Sequence, residues 1–377
     1  MCPGIQRLHK ATDGYIGRVR FPGGHIRGAD WRTLAHWAET LGDGRLHVTK
    51  RGNLQFRGIQ KETDFSQAAI QVGYVPSPQH DKIRNIIVSA RDPHLWELAK
   101  QIDEALLSTE ATAGLSGRTL FGIDAGRGDI LVHRPDFGAI AVSGGNYQLI
   151  VAGNRVSVRI PNEEAIAATL CTAAAQWQAL RGASWRLAER PEVHEHIVAA
   201  VLQETAAVAD KSLVTGDIAT LAGAAPVEQL LVPDIGWFED ETGVTLGAGL
   251  PFGFLDATTA AILGELNTDT AITAGACLMI HGLTPEVAEA VVRILAPRGI
   301  IFDANSPLLR VTACTGLPGC AKALSHTQED ALALVASGDI PDGFVHFSGC
   351  ARRCGHPLGH YVEYLAEGEG EYEVQQR

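Results

Sequence analysis

The chain has 377 residues, a formal net charge of -12 at pH 7, 46% apolar residues and 20% charged residues. This is the composition of a globular protein with more than one packed unit, and the negative charge argues against general nucleic-acid binding, which needs a basic face. No apolar run reaches the ~18 residues of a membrane helix, and the N-terminus lacks the apolar core of a signal peptide, so we expect a cytoplasmic protein without a membrane anchor.

The first part of the chain has the pattern of a strand, a helix and a further strand. We predict a strand over 14–21, a helix over 29–41 with Asp30 as its N-cap, and a strand over 46–59. A second helix is predicted to begin near Glu62 and to end before a proline-rich turn.

The strand over 46–59 carries a row of polar side chains. Arg51, Asn53, Gln55 and Arg57 alternate with apolar residues, which places them on one face of a strand. That face is either the solvated side of an edge strand or one wall of a pocket. The pocket is favoured because the equivalent positions later in the chain lack this charge. Arginine binds carboxylates with two parallel hydrogen bonds, so the row predicts a site for a polyacid such as a tetrapyrrole.

The same plan returns in the second half of the chain. Strand-like segments are predicted over 243–253 and 271–283, and helices over 257–266 and 284–295. Three pairs of residues recur at one constant offset: Thr49 and Thr273, Gly58 and Gly282, Ile59 and Leu283. We therefore predict an internal duplication in which a half from each copy pairs to complete one sheet. The alternative is two unrelated copies of a common β-α-β unit.

A larger α/β segment follows each half, and only the second one holds a set of cysteines. Ser89 stands where the second copy has Cys314. Residues 216–236 contain glycine and proline and are the predicted connector between the copies. The predicted units are two ferredoxin-like halves, each followed by a larger α/β domain: 1–75, 76–215, 237–297 and 298–377.

Four cysteines lie in two glycine-rich loops near the end of the chain. They form a C-x5-C pair and a C-x3-C pair: Cys314, Cys320, Cys350 and Cys354. The cysteine count is odd and no export signal is seen, so a disulfide framework is not expected. Thiolates on glycine-rich turns favour an iron–sulfur cluster, while a zinc site and buried thiols stay as alternatives. The remaining cysteines are predicted not to be ligands: Cys2, Cys171 and Cys277.

The cysteine loops resemble the cluster signature of the nitrite/sulfite reductase superfamily. The matching motifs are Thr-x-Cys-x-Gly-x-x-x-Cys and Ser-Gly-Cys-x-x-x-Cys-Gly, and the strand motif over 49–58 resembles the one that contacts the tetrapyrrole in that superfamily. The resemblance implies an α+β fold of two pseudo-twofold copies. It also implies a [4Fe–4S] cluster held by the four cysteines and a tetrapyrrole at the junction of the copies.

The same resemblance, together with the polar row, gives a substrate-binding set. Arg51 and Gln55 match the strand motif directly, and Arg84 matches an arginine that opens the next segment in sulfite reductases. The alternative for Arg84 is a surface arginine before a buried strand. The predicted set is Arg51, Asn53, Gln55, Arg57, Arg84, Asn85 and Arg118.

One departure separates two branches of the superfamily. Sulfite reductases carry Arg-Lys-Phe-Lys where residues 118–121 read Arg-Thr-Leu-Phe, so two lysines that supply protons are missing. Motifs over 2–9 and 124–129 resemble instead the precorrin-3B synthase family of aerobic cobalamin synthesis. This implies O2-dependent hydroxylation of precorrin-3A with γ-lactone formation, a [4Fe–4S] cluster and a mononuclear non-haem iron. The sequence identifies neither the ligands of that iron nor a catalytic residue.

Two other functions stay open from the sequence. A sirohaem-dependent sulfite or nitrite reductase would use Cys354 to bridge cluster and haem iron, whereas a tetrapyrrole carrier or electron-transfer protein would have no turnover. No Gly-x-Gly-x-x-Gly motif precedes a helix, so we expect an external electron donor or reductase. Arg352 and Arg353 are expected to offset the charge of a cluster or to hold carboxylates, and His326 and His356 to lie near it.

Overall fold

The computed structural model describes residues 3–217 and 234–377, which form four β-sheets flanked by helices. Cys2 and most of the predicted connector lie outside the described residues. The mixed α+β class agrees with the expectation from the sequence.

Two of the sheets exchange a strand. Sheet 1 has the order β1 (His9–Ala11), β2 (Gly14–Arg20), β5 (Asn53–Ile59), β4 (Arg45–Val48) and β14 (Phe254–Asp256). Sheet 2 has the order β12 (Gly236–Asp240), β13 (Gly243–Gly249), β16 (Cys277–Leu283), β15 (Thr270–Ile272) and β3 (His25–Ile26). All pairs in both sheets are antiparallel, and each sheet receives one short strand from the other half of the chain. The expectation that the halves complete one sheet is therefore wrong: they build two sheets.

The internal duplication is visible in matched backbone hydrogen bonds. The N–H of Thr49 donates to the carbonyl of Asn53 at 2.8 Å, and that of Thr273 donates to the carbonyl of Cys277 at 2.9 Å. Both copies also have a short 3-10 turn at the equivalent proline, followed by the exchanged strand. Matching strand exchange and matching hydrogen bonds favour duplication over chance similarity.

Each long strand that the sequence predicted over 46–59 and 271–283 is a hairpin of two strands. The turns lie between β4 and β5 and between β15 and β16. Gly52 and Ala276 occupy the same turn position, and each has a φ of 59°. Glycine adopts this left-handed conformation at no steric cost, so Gly52 was a turn signal that the strand pattern obscured.

The helices of the described residues are α1 (Asp30–Leu41), α2 (Glu62–Gln71), α3 (Leu95–Ser108), α4 (Glu164–Leu180), α5 (His194–Glu204), α6 (Ala257–Leu266), α7 (Pro285–Leu295) and α8 (Thr327–Ser337). The helices α1, α2, α6 and α7 begin close to the predicted positions. Asp256 caps α6 by accepting from the N–H of Thr259 at 2.7 Å. Asp30 does not cap α1, because its carboxylate is bonded to Arg27. Among the described residues, no helix has the length and apolar character needed to cross a membrane.

Sheets 1 and 2 share one hydrophobic core. Leu34 of α1, Phe56 of β5, Leu263 of α6 and Ile280 of β16 are all buried in it. Because both halves contribute to this core, it fixes the position of the two hairpin turns relative to each other.

The two larger segments contain sheets of the same pattern. Sheet 3 has the order β11 (Val208–Ala209), β10 (Asn154–Ile160), β9 (Asn146–Val151), β8 (Phe137–Val142), β7 (Phe121–Asp124) and β6 (Ile86–Val88). Sheet 4 has the order β17 (Val311–Ala313), β18 (Phe344–Ser348), β19 (Tyr361–Gly368) and β20 (Glu371–Gln376). In both, three parallel strands are followed by an antiparallel one. Parallel strands align their carboxyl ends, so loops that follow β17 and β18 meet at one edge.

Candidate functional site

A cleft of about 830 Å³ lies where sheets 1 and 2 meet the loops of sheet 4. Its walls include side chains from β2, β4 and β5, both hairpin turns, and the loops that carry the four cysteines. Small-molecule sites measure roughly 300–1,000 Å³, so the cleft has room for a large ligand.

Backbone hydrogen bonds hold the two cysteine loops together. Cys314 follows β17, and its N–H donates to the carbonyl of Phe347 at 3.0 Å. Its Sγ accepts from the N–H of Gly349 at 3.2 Å. The carbonyl of Gly349 in turn accepts from the N–H of Leu324 at 2.8 Å, which ties the second loop to the first. All four predicted cysteine ligands therefore line one cleft, although the two pairs are far apart in the chain.

Two glycines in these loops lie where a side chain would have little room. A Cβ on Gly349 would lie 2.8 Å from the Cβ of Ala323 and 3.3 Å from the Sγ of Cys314. A Cβ on Gly319 would lie 2.9 Å from Cγ2 of Thr315. Both carbon–carbon distances are shorter than normal contacts, so a side chain at either position would force neighbouring atoms of the cysteine loops to shift.

The cysteines lie close enough to influence one another electrostatically. Burial raises the pKa of the Cys354 thiol, and so does the negative charge of Cys314, Cys350 and Cys320, while Arg352 lowers it. Binding of metal would relieve repulsion among thiolates. Four cysteines on glycine-rich loops are the donor set of a [4Fe–4S] cluster, so these residues fit that group. Within residues 3–217 and 234–377, no three or more His, Cys, Asp or Glu side chains form a group suited to a single metal ion.

The polar row on β5 lies inside the protein rather than on a solvated edge, because β5 pairs with β2 and β4. Gln55 and Arg57 line the cleft, as expected for a pocket wall. Arg57 is already engaged, however: it donates to both carboxylate oxygens of Asp13, at 2.9 and 3.1 Å, and to the carbonyl of Gly319 at 2.7 Å. Arg57 therefore braces the first cysteine loop against β5.

Two buried amides of the predicted set have structural roles. Asn53 accepts from the N–H of Phe21 at 3.2 Å and donates to Asn85 at 3.1 Å. Asn85 donates to backbone carbonyls, including that of Thr119 at 3.1 Å. Neither lines the cleft, and together they join sheet 1 to the segment that contains sheet 3.

Three predicted arginines also lie outside the lining of the cleft. Arg84, predicted to be an anion ligand, forms a buried, two-point ion pair with Asp103, at 2.7 Å for both hydrogen bonds, so its guanidinium already has an anionic partner within the chain. Arg118 lies over the ring of Trp185, with its guanidinium carbon 4.3 Å from the centroid. Arg51 is placed in the β4–β5 turn instead of on the β5 row, because the predicted single strand is a hairpin.

The cleft is cationic, and four of its cations are residues that the sequence analysis did not single out: Lys10, Arg18, Lys50 and Lys322. Its cationic lining residues are Lys10, Arg18, Lys50, Arg57, Lys322 and Arg352, and no Asp or Glu of the described chain is among the lining residues. The two lysines of the sulfite reductase motif are missing at 118–121, but three other lysines line the cleft: Lys10, Lys50 and Lys322. Cys277, predicted to be a core thiol, is buried and also lines the cleft; burial raises its pKa to about 12.

Two histidines in the lining stay neutral near pH 7. Burial, followed by the charges of Arg57 and Arg18, lowers the pKa of His47 to about 3. Burial and the charge of Lys50 lower the pKa of His133 to about 4. Both imidazoles can therefore offer a hydrogen bond or a ring face without adding charge.

Of the other residues expected near the cysteines, one lines the cleft and three do not. Arg352 lines the cleft, whereas Arg353 donates to the buried carboxylate of Glu363 at 2.9 Å and so anchors the C-x3-C loop. His356 accepts a hydrogen bond from Lys50 at its backbone carbonyl. His326 lies near Glu329, with 3.9 Å between nitrogen and carboxylate oxygen.

The first copy has a cysteine-free counterpart of this site. The N–H of Ser89 donates to the carbonyl of Ile123 at 3.0 Å, as that of Cys314 does to Phe347. The Ser89 hydroxyl accepts from the N–H of Ala125 at 2.9 Å and donates to Asp129 at 2.7 Å. The predicted equivalence of Ser89 and Cys314 is thus seen in their contacts, with a serine–aspartate bond where the second copy has sulfur.

Comparison with known proteins agrees with this architecture. Residues 7–63 match the family model described as the nitrite/sulfite reductase ferredoxin-like half domain. The structure of the NirA protein of Mycobacterium tuberculosis superimposes with a TM-score of 0.67 at 16% identity, covering 96% of this chain and 73% of that one. The chain therefore has the fold of NirA.

Two relatives are similar in sequence. A precorrin-3B synthase from Sinorhizobium sp is 26% identical over 386 aligned positions, which cover 94% of this chain and 78% of the relative. The sulfite reductase (NADPH) hemoprotein beta-component of Acidithiobacillus ferrooxidans is 27% identical over 111 positions, which cover 29% of this chain and 14% of that protein. The resemblance to precorrin-3B synthase thus spans nearly the whole chain, and that to the sulfite reductase is partial.

Proposed function

We propose that this protein is a precorrin-3B synthase, a cytoplasmic iron–sulfur monooxygenase that hydroxylates precorrin-3A with O2 and closes a γ-lactone with an acetate side chain. The similarity to the Sinorhizobium precorrin-3B synthase over 94% of the chain supports it. The observation that carries the proposal is the meeting of four cysteines and a group of cations in one cleft of about 830 Å³. Such a cleft attracts a large polyanion even within a protein of net charge -12.

The side chains of the cleft have three proposed roles, which follow from their chemistry. Cys314, Cys320, Cys350 and Cys354 would hold a [4Fe–4S] cluster, which supplies one-electron transfer when bound. Cationic and polar side chains bind carboxylates of the substrate: Lys10, Arg18, Lys50, Gln55, Lys322 and Arg352. Apolar side chains contact the macrocycle: Leu250, Phe252, Leu308, Leu309, Phe344 and Leu358. The units 1–75, 76–215, 237–297 and 298–377 are part of the same proposal.

The proposed reaction needs electrons and protons from outside the substrate. One oxygen atom of O2 enters the substrate and the other leaves as water, which consumes two electrons and two protons. An external donor or reductase provides the electrons. The mononuclear iron enters through the family resemblance alone, and the proposal assigns it no ligands.

The direct test is turnover. Purified protein with a reconstituted cluster, incubated with precorrin-3A, O2 and a reductant, should convert the substrate to a product heavier by one oxygen atom, with a lactone carbonyl. Labelled O2 should transfer its label to the product. An intact cluster with no change in substrate mass would refute the proposal, and Cys171→Ser is a control because this thiol is bonded to Thr109, away from the cleft.

A sirohaem-dependent sulfite or nitrite reductase is the second candidate. The partial match to the Acidithiobacillus sulfite reductase and the three lysines of the cleft favour it, since reduction of these anions needs proton donors beside the substrate. The visible spectrum of the purified protein separates the two functions. Sirohaem gives a Soret band and a red band, whereas a cluster alone gives a broad brown absorption.

A further inference from the structure

Lys50 breaks the symmetry of the cleft. It lies in the β4–β5 turn, next to Thr49, and its counterpart in the β15–β16 turn is Ala274, next to Thr273. Both residues line the cleft, so the two hairpin turns face the same space from related positions. One turn presents an ammonium group there and the other presents a methyl group.

Within the described part of the chain, no carboxylate lines the cleft beside the ammonium group of Lys50. Burial lowers the pKa of Lys50 to about 8, and no acidic group of the described chain contributes to that shift. The side chain is nevertheless accessible, because the space beside it is the cleft itself. An ammonium group in a cleft walled by protein, with no carboxylate beside it, attracts an incoming anion more strongly than a lysine on open surface does.

The groups in contact with Lys50 do not supply a counter-ion, so a ligand can. Its Nζ donates to the backbone carbonyl of His356, two residues after Cys354. The charge of Lys50 helps to lower the pKa of His133 to about 4 and that of His346 to about 3, after burial as the main cause. These two imidazoles are therefore neutral near pH 7 and add no further positive charge beside the ammonium group.

We propose that Lys50 binds the substrate carboxylate that lies nearest the cysteine loops and thereby orients a polycarboxylate macrocycle in the cleft. This inference rests on the proposed function, because it takes the ligand to be a tetrapyrrole. Ala274 offers no charge at the related position, so a macrocycle rotated by the pseudo-twofold axis would lose this ion pair. Lys50 is a positioning residue that places an acidic side chain of the substrate beside the C-x3-C loop.

The test is binding of stable porphyrins to the cluster-loaded protein. Uroporphyrin III carries an acetate and a propionate on each pyrrole ring, and coproporphyrin III lacks the acetates. Affinity is measured by fluorescence quenching, and orientation by the induced circular dichroism of the bound porphyrin. The variants are Lys50→Met, Lys50→Arg and, as the matched control, Lys61→Met, whose side chain is 77% exposed and outside the lining.

We expect Lys50→Met to weaken uroporphyrin binding roughly 30-fold, as loss of one desolvated ion pair does. The dichroism of bound uroporphyrin should change shape. Lys50→Arg should restore affinity to within about threefold, because it keeps the charge. Lys61→Met should bind like the wild type.

The results that overturn the inference differ from those that overturn the proposed function. If the wild type binds uroporphyrin and Lys50→Met binds it equally well, the role of Lys50 is wrong while the tetrapyrrole function stands. If Lys50→Met and Lys50→Arg lose affinity alike, the side chain acts through its shape and the charge argument fails. If the wild type binds neither porphyrin, the tetrapyrrole function itself fails.

Discussion

Replacing Arg57 by methionine tests whether this residue is a brace or a substrate ligand. Arg57 joins β5 to Asp13 and to the carbonyl of Gly319 in the first cysteine loop. Its side chain is 9% exposed and that of Asp13 is 22% exposed. Methionine fills a similar volume without charge, so the change removes these polar contacts and leaves the packing largely intact.

The expected loss in the free energy of unfolding depends on how well Asp13 is solvated once Arg57 is removed. Removing one partner of a fully buried ion pair costs about 3–5 kcal/mol, chiefly because the other charge stays desolvated. Asp13 is partly exposed and can regain water, so we expect the free energy of unfolding of Arg57→Met to fall by about 2–3 kcal/mol. The exposed pair of Arg32 and Glu265 provides the comparison, and Arg32→Met should cost less than about 1 kcal/mol.

Urea denaturation of the single variants and of a double variant with Asp13→Asn measures the coupling. We expect a coupling free energy of at least about 1 kcal/mol between the two positions, because each loses its main partner when the other is changed. Limited proteolysis should also cut the C-x5-C loop faster in Arg57→Met. The reasoning is refuted if Arg57→Met leaves the unfolding free energy and proteolysis unchanged while uroporphyrin affinity falls, because Arg57 then binds the ligand instead of the loop.

Three further predictions address other parts of the site. Cys320→Ser should lose iron and the brown absorption after cluster reconstitution, measured by iron content and visible spectra, whereas Cys171→Ser should keep both. Arg84→Met should lower the free energy of unfolding by about 3–5 kcal/mol, since its ion pair is buried, without changing porphyrin affinity of the folded fraction. Burial, followed by the charge of Asp124, raises the pKa of Asp129 from 3.8 to about 7. Because the folded chain then holds this proton more tightly than the unfolded chain does, the free energy of unfolding should fall as pH rises from about 4 to about 7. Asp129→Asn should make this pH dependence, measured by urea denaturation, less steep. An unchanged slope in Asp129→Asn would contradict the assignment.

The repeat and the cysteine set could be predicted because their signals are local or recur at fixed spacing. Thr49 and Thr273 begin equivalent turns, and apolar periodicity located α1, α2, α6 and α7 to within a few residues. The hairpin over 45–59 was missed because an alternating pattern on both sides of a tight turn looks like one strand. Gly52 marks that turn, and once the turn is recognised Arg51 leaves the row that contains Gln55.

The sequence by itself determined that the chain is a duplicated α+β protein with the C-x5-C and C-x3-C cysteine pairs in the second copy only, because period, turn residues and cysteine spacing depend on neighbours along the chain. The tertiary structure alone decided which cations face the cleft. Arg84 is paired with Asp103 and Arg57 with Asp13, whereas Lys50 meets a backbone carbonyl from the far end of the chain. A charge is available to a ligand only when no carboxylate lies beside it, and that depends on contacts between residues distant in sequence.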